Sequence, residues 1–538
     1  MPAINLRKIT FASFFLLVSV LFAFPEENEN TIYIINAVEF KVDGRSMHFV
    51  LMDRGEFVTG EKITGKGNLD AYIADKTQLL RNSRLHDEVL IEYTFGAAET
   101  GDAIPVSLNV YIKDSNNFVI MPYPRYSSND GFKINLNLRD YNFLGTLQAL
   151  RIDLSYRYYN NPHNDIINHE TGISLETDIP FRAAGLNWNT RIGAWLKYDF
   201  GKRNPGSEEA LYNYNVVGLS VNLPWHSSSF NVGINQFLII NEDISGDSKL
   251  YGVEGRYYDP YGGTEAYISW YIPLGIQIGQ FGMLGYNPGI LARINYPYSE
   301  MDGSRKLVST FSHSLGFARI DWIDNFRKGF SLSVSNSVNV FLDREDAPVR
   351  FNISVNAIFH WPFITFMGVS ARLQYWQTRH WSDMNFNKNG AGWINLGGSG
   401  GPLRGIWDDG ITAEYIVAGN LDIPIRILPF RPSKWFNYNR LRYFNVDVFF
   451  TPFTDFAIFQ GTSRLTDSAV SEYITFAFEN MINTVGFDLT VFSIHWPNLR
   501  LRGSLGYDIQ RISRDGLGLK WGFFPQWDEI YIGMDLHY

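Results

Sequence analysis

Residues 186–200 read LNWNTRIGAWLKYDF, and the alternation in that stretch decides the fold. One face carries Leu186, Trp188, Thr190, Ile192, Ala194, Leu196, Tyr198 and Phe200. The other carries Asn187, Asn189, Arg191, Gly193, Trp195, Lys197 and Asp199. A period of two sustained over this length is a β-strand with one apolar and one wet face. The pattern returns in Val349–Phe359, where Val349, Phe351, Ile353, Val355, Ala357 and Phe359 alternate with Arg350, Asn352, Ser354, Asn356 and Ile358. In Phe330–Leu342, Leu332, Val334, Val338 and Val340 are interleaved with Ser and Asn. Similar segments lie near 146–160, 210–224, 308–322, 411–427 and 499–509.

A soluble sandwich also alternates, but three features point elsewhere. The segments are long, as tilted membrane strands must be. Aromatic residues crowd their ends, where an interfacial girdle belongs. The polar face is Ser, Asn and Arg in strand after strand, which suits a water-filled lumen. An all-β transmembrane barrel of about sixteen antiparallel strands is therefore expected over residues 130–538.

Composition agrees. Aromatic residues reach 16% while charged residues stay at 19%, yet the mean hydropathy is only −0.14. A bundle of membrane helices needs several apolar runs of about 20 residues and a clearly positive hydropathy. The one such run is at the start, where Arg7 and Lys8 precede Ile9–Phe24 and small Ala23 precedes Pro25. This is the pattern of a secretory signal peptide over residues 1–24. With no cysteine there is neither a disulfide nor a lipidated N-terminal Cys, and a net charge of −9 leaves no basic patch for nucleic acid.

Residues 30–125 mix helical and strand periods. Ile32–Val42 reads as a strand ending at the Asp43-Gly44 turn, and Met47–Met52 as a short helix. Leu69, Tyr72, Ile73, Lys76, Leu79 and Leu80 recur at helical spacing, with Asn68 as the expected N-cap. Val89–Phe95 and Val106–Ile112 read as strands. The result is one small α+β domain of β-α-α-β-β order. At the other end, Ile530, Ile532, Met534, Leu536 and Tyr538 alternate with polar residues and form the expected closing strand. Its expected partner across the seam is Phe132–Leu138, with Phe132, Ile134, Leu136 and Leu138 on one face.

No catalytic constellation emerges. Gly397-Gly398-Ser399-Gly400-Gly401 matches G-x-S-x-G, but Pro402 and another strand follow where a hydrolase needs a helix. The histidines form no H-E-x-x-H pair, and Trp407-Asp408-Asp409-Gly410 reads as a solvated turn. The expectation is a protein that is not an enzyme and uses no metal or cofactor. Leu403-Arg404-Gly405-Ile406 is more informative. Either Arg404 stands in water on an outer loop, or the loop folds inward and Arg404 meets Asp422 or Asp455.

Read as a whole, the chain resembles the BamA/TamA superfamily of outer-membrane assembly and translocation proteins. These carry β-α-α-β-β polypeptide-transport-associated (POTRA) domains ahead of a sixteen-stranded barrel. Leu403-Arg404-Gly405-Ile406 is similar to the family's Val-Arg-Gly-Phe/Tyr motif, which sits on a loop folded into the lumen. Asn420–Arg426 and Phe453-Thr454-Asp455 are similar to the acidic strands that follow, so the likeness implies that Arg404 pairs with Asp422 and Asp455. Asp140–Thr146 is similar to the Asn-x-x-Gly turn after the family's first strand. The chain departs from the family pattern in having one POTRA-like domain and Ile406 in place of an aromatic residue.

The resemblance implies a factor that inserts β-barrel clients into the bacterial outer membrane through a lateral gate between first and last strands. The POTRA-like domain would lie in the periplasm. Implied partners are lipid, unfolded outer-membrane proteins, and periplasmic chaperones or accessory lipoproteins. The alternatives are a dedicated secretion pore of the same superfamily, or a generic porin or adhesin.

Overall fold

The computed structural model describes residues 31–96, 103–127, 131–161, 166–203, 206–243, 261–297, 307–341, 349–380, 394–395, 402–406, 412–463, 472–496, 498–509, 519–520, 524–525 and 528–533. The signal-peptide segment, Gly397–Gly401, Trp407–Gly410, Met534, Leu536 and Tyr538 lie outside them. Among the described residues no helix is long and apolar enough to cross a membrane.

The N-terminal domain runs β1 (Ile32–Asp43), α1 (His48–Arg54), β2 (Lys62–Thr64), α2 (Lys66–Arg81), β3 (His86–Phe95) and β4 (Ala103–Asp114). Its sheet has the order β2-β1-β4-β3, with β1 parallel to β4 and the other pairs antiparallel. Ile35, Leu51, Leu69, Leu80 and Leu108 are fully buried and fill its core between sheet and helices. Helix α2 begins two residues before the expected cap. Gly65, at φ +87°, takes the N-cap position, and Asn68 lies inside the first turn, donating to the Thr64 carbonyl at 2.7 Å.

The remaining strands close a barrel. They are β5 (Phe118–Ser127), β6 (Gly131–Asp140), β7 (Leu150–Asn161), β8 (Ile166–Ala183), β9 (Leu186–Arg203) and β10 (Gly206–Trp225). Next come β11 (Ser228–Asp243), β12 (Tyr261–Gln277), β13 (Met283–Pro297), β14 (Leu307–Ile323), β15 (Phe326–Phe341), β16 (Val349–Ile364) and β17 (Met367–His380). Strand β18 has two segments, Thr412–Asp422 and Ile425–Phe430, broken at Pro424. The ring ends with β19 (Val446–Ser463), β20 (Ile482–Ser493), β21 (Arg500–Asp508) and β22 (Asp528–Gly533), which pairs back onto β5.

The barrel thus has 18 antiparallel strands rather than about sixteen. It begins at Phe118, inside the stretch expected to belong to the N-terminal domain. Pro122 and Pro124 hid β5, because proline within a run argues against a strand. One consequence corrects the expected seam: Phe132, Ile134, Leu136 and Leu138 lie on the second strand, β6, which pairs with β5 and β7.

The outward face is apolar and exposed at Ile134, Leu136, Leu154, Leu196, Val217, Leu219, Ile234, Ile290 and Phe311, as lipid requires. Trp225, Phe230 and Trp270 stack with ring centroids 5.0–5.6 Å apart near one rim, part of an aromatic girdle. The inward face is polar and mutually paired, as where Lys197 reaches Glu170 at 3.4 Å.

The N-terminal domain lies across the mouth that carries the short turns. Asp114 organises one anchor. Its carboxylate accepts from the Arg45 and Ser46 backbone N–H groups (2.7 and 2.9 Å) and from Ser46 Oγ (2.7 Å), and meets His86 Nδ1 at 3.0 Å. From the barrel, Asn142 in the β6–β7 turn donates to Ser46 Oγ (2.9 Å) and Asp114 (3.3 Å). Arg45 forks onto Asp140 at 2.9 and 3.0 Å, and the Met47 N–H donates to Gly145 O at 2.8 Å. Gly145 is required there, since a Cβ would stand 1.9 Å from the Arg45 carbonyl oxygen. The turn similar to the family's Asn-x-x-Gly therefore follows the second barrel strand, and it is a docking knob.

A second anchor lies about halfway round the ring. Arg84 donates to Asn325 (2.6 Å) and stacks on Trp322 at 4.4 Å, Asn82 binds Asp321 (2.8 Å), and Asp75 binds Arg319 (2.6 Å).

Burial pushes the Asp114 carboxyl up, but the hydrogen bonds from His86, Ser46 and the Arg45 and Ser46 amides outweigh it and hold it below the usual range. A depressed folded pKa stabilises docking above the ordinary carboxylate pKa, and that contribution is lost as pH falls through the folded value. Below about pH 4, protection at residues 45–47 and 140–147, taken relative to the intrinsic exchange rates at each pH, is expected to fall. Asp114→Asn should give roughly tenfold faster exchange there already at neutral pH. Equal exchange in wild type and variant at pH 7 would remove Asp114 from the anchor.

Candidate functional site

Residues 402–406 fold inward, and the Leu403, Arg404, Gly405 and Ile406 side is entirely buried against the barrel wall. Leu403 and Ile406 pack with Ile416 and Ala418 of β18, Ala457 and Phe459 of β19 and Ile482 of β20. Asn420 ties the preceding residue down, donating to the Pro402 carbonyl at 2.7 Å. The inward face here is apolar where the loop lies, so the loop completes a small core inside the lumen.

Arg404 sits at the centre of that core. Its Nη2 donates to Asp422 Oδ1 and Asp455 Oδ1, both at 2.6 Å. Its Nε and backbone N–H both donate to Asp455 Oδ2 (2.9 and 3.0 Å), and Nη1 reaches Asp488 Oδ2 at 3.1 Å. The guanidinium lies 3.6 Å above the Phe453 ring centroid. A planar fork with five donors meets this arrangement; an ammonium does not.

The structure thus brings Arg404, Asp422 and Asp455 together and adds Asp488, which sequence reasoning missed. The signal was present. In β20, Val485, Phe487, Leu489 and Val491 alternate with Thr484, Gly486, Asp488 and Thr490, so an acid falls on the inward face of a strand next to β19. Asp488 is shared, for Arg502 of β21 stands 3.6 Å from the same oxygen.

Gly405 has a separate task. At φ +83° its backbone lies on β21, and a Cβ there would fall 2.5 Å from the Tyr507 backbone nitrogen. From the other side, a Cβ on Gly506 would fall 2.5 Å from the Gly405 nitrogen. Two glycines face to face let the loop backbone touch the strand backbone.

The seam is the second feature. Among the described residues, β22 and β5 pair only at Tyr531↔Ser127 and Ile532↔Tyr126, whereas β5 and β6 pair from Phe118↔Asp140 to Ser127↔Gly131. In an antiparallel ladder the N–H groups of alternate residues point to alternate neighbours. The β5–β6 ladder is unbroken through Pro122 and Pro124. Proline has no N–H, so both missing donors lie on the other edge of β5, the one that faces the last strand.

Among the described residues no group of three or more His, Asp or Glu side chains is placed to hold a metal ion. No family model and no curated protein matches this sequence. Among solved structures, BamA from Haemophilus ducreyi lacking POTRA domains 1–3 gives a TM-score of 0.40 at 13% identity, over 93% of this chain and 84% of that one. CdiB from Acinetobacter baumannii gives 0.45 at 11% identity, over 93% and 73%. The siderophore receptor PirA from Pseudomonas aeruginosa gives 0.31 at 12% identity, over 88% and 77%. Values this low assign neither family nor activity, and the contacts within the chain carry the reading that follows.

Replacing Arg404 with Ala strands three buried carboxylates and is expected to cost about 3–5 kcal/mol. The check is the urea midpoint of the barrel, followed by its resistance to unfolding in detergent gels without heating. Arg404→Lys should recover only part of the loss. Full recovery would show that charge alone, and not the fork, holds the loop.

Proposed function

We propose that this chain is an outer-membrane assembly factor that inserts and folds β-barrel clients through a lateral gate at the β22–β5 seam. The observation that carries the reading is the proline edge of β5. In lipid every backbone N–H and C=O must be paired, so a ring that places Pro122 and Pro124 on its closing edge is weakest there. Parting such a seam breaks fewer backbone bonds than a ladder with all its donors, and the exposed edges then need partners that lipid does not offer. A client strand supplies them by adding to the edge. The edge of β22 is the fuller template, since that of β5 lacks two donors.

The N-terminal domain, placed in the periplasm and resembling a POTRA domain, holds extended clients at the free edge of β3. Arg404 and its acids keep β18, β19 and β20, on the last-strand side of the gate, in register. The process is not enzymatic and uses no cofactor, because burial of the client's apolar face in lipid supplies the drive.

The test is depletion in the native host with the outer-membrane proteome and the secreted fraction measured together. An assembly factor lowers many unrelated barrels. Loss of one secreted protein with the barrels intact would make the chain a dedicated translocator and overturn the proposal. Complementation with Pro122→Val/Pro124→Val restores two donors and is expected to tighten the seam, lowering barrel assembly while the protein itself stays folded. Unimpaired assembly by that variant would show that the seam need not open.

A further inference from the structure

We infer that the seam is closed by a side-chain clasp, Tyr531 held between Arg125 and Arg502, and that this clasp is linked to the buried Arg404 cluster through Asp488. The inference deepens the gate reading above and rests on the seam being its moving part.

Among the described residues the two strands pair at Tyr531↔Ser127 and Ile532↔Tyr126, and side chains meet across the seam at the same place. Tyr531 is the inward residue of β22 at the point where the strand meets β5, and it is only 4% exposed. The Arg125 guanidinium, from β5, lies 5.6 Å from its ring centroid, and that of Arg502, from β21, lies 4.6 Å away. The ring therefore stands between two cations, one on each side of the seam. A desolvated guanidinium over an aromatic face is among the stronger non-backbone contacts available in a barrel wall.

Arg502 is not held by the ring alone. Its Nη1 stands 3.6 Å from Asp488 Oδ2, the oxygen that accepts from Arg404 Nη1 at 3.1 Å. A continuous series of contacts thus runs from Asp422 and Asp455 through Arg404, Asp488 and Arg502 to Tyr531, and across the seam to Arg125. Asp488 divides one carboxylate oxygen between two guanidiniums. If Arg404 leaves, Asp488 turns wholly to Arg502 and draws it off the ring. The loop and the seam are then two ends of one electrostatic chain, and withdrawal of the loop loosens the closure.

Hydrogen exchange of the full chain in lipid nanodiscs, without client, reads this directly at residues 118–127 and 528–533. Tyr531→Leu keeps apolar bulk but loses the ring face, and exchange there should rise roughly tenfold while β10 and β11 stay unchanged. Tyr531→Trp keeps the face and should retain slow exchange. Arg404→Gln should speed the same peptides, and should add nothing further in the Tyr531→Leu background. Asp488→Asn removes the acid that would draw Arg502 off the ring, so these peptides should then exchange no faster than in wild type, and faster exchange overturns the link to the loop. Seam exchange within twofold of wild type in Tyr531→Leu overturns the clasp. Additive effects of the two substitutions overturn the link to the loop. Because no client is present, either result leaves the depletion experiment to judge the assembly reading on its own.

Discussion

A barrel wall in hydrocarbon has to satisfy its own backbone, because lipid offers neither donors nor acceptors. This constraint explains why the strands form a closed ring and why the inward and outward faces alternate so strictly. It also makes the one edge where the rule is broken the most informative place in the molecule. Pro122 and Pro124 would be tolerated on the exposed edge of a soluble sheet. Here their missing N–H groups lie on the edge of β5 opposite to β6, the edge that joins β22 at Tyr126 and Ser127.

The inward-folded loop answers a different problem. A guanidinium buried between the loop and the barrel wall loses most of its hydration, and only a full set of acceptors compensates. Asp422, Asp455 and Asp488 come from three adjacent strands, β18, β19 and β20, so a single residue braces three strands and a loop at once. The apolar contacts of Leu403 and Ile406 then keep water from competing for the acids. The Gly405–Gly506 contact adds β21 to the same block.

How much of this was legible in the sequence follows from which interactions are local. Period-two alternation made the barrel readable, because each strand's two solvents are written in its own residues. Arg404 with Asp422 or Asp455 was one of two readings the residues left open, and likeness to a family pattern was what favoured it, since the partners lie on different strands and nothing local sets their register. Asp488 escaped for the same reason, although its inward phase in β20 was visible. Strand β5 was lost to its prolines, which obey the edge-strand rule only once the ring is known to have an edge there. Asn142 and Gly145 suggested a turn, but their docking role depends on Ser46 and Asp114, which are far away in sequence.

These pieces divide the molecule into blocks that differ in what joins them. Ser115 and Asn117, the link between domain and barrel, both bond to the Leu85 carbonyl, and Asn117 also accepts from the Tyr141 amide. With the Asp114 and Arg45 contacts, the N-terminal domain, β5 and the β6–β7 turn therefore form one unit. Strands β18 to β21 form another, gathered round Arg404 and Asp488. Among the described residues the last strand shares six backbone pairs with β21 and two with β5. Among the described residues, the contacts between the two units at the seam are those two pairs and the Tyr531 ring with Arg125. On the proposed gate, tilting of the N-terminal domain acts on β5 directly while movement of the loop acts on β21 and β22, so both converge on the β22–β5 edge from opposite sides.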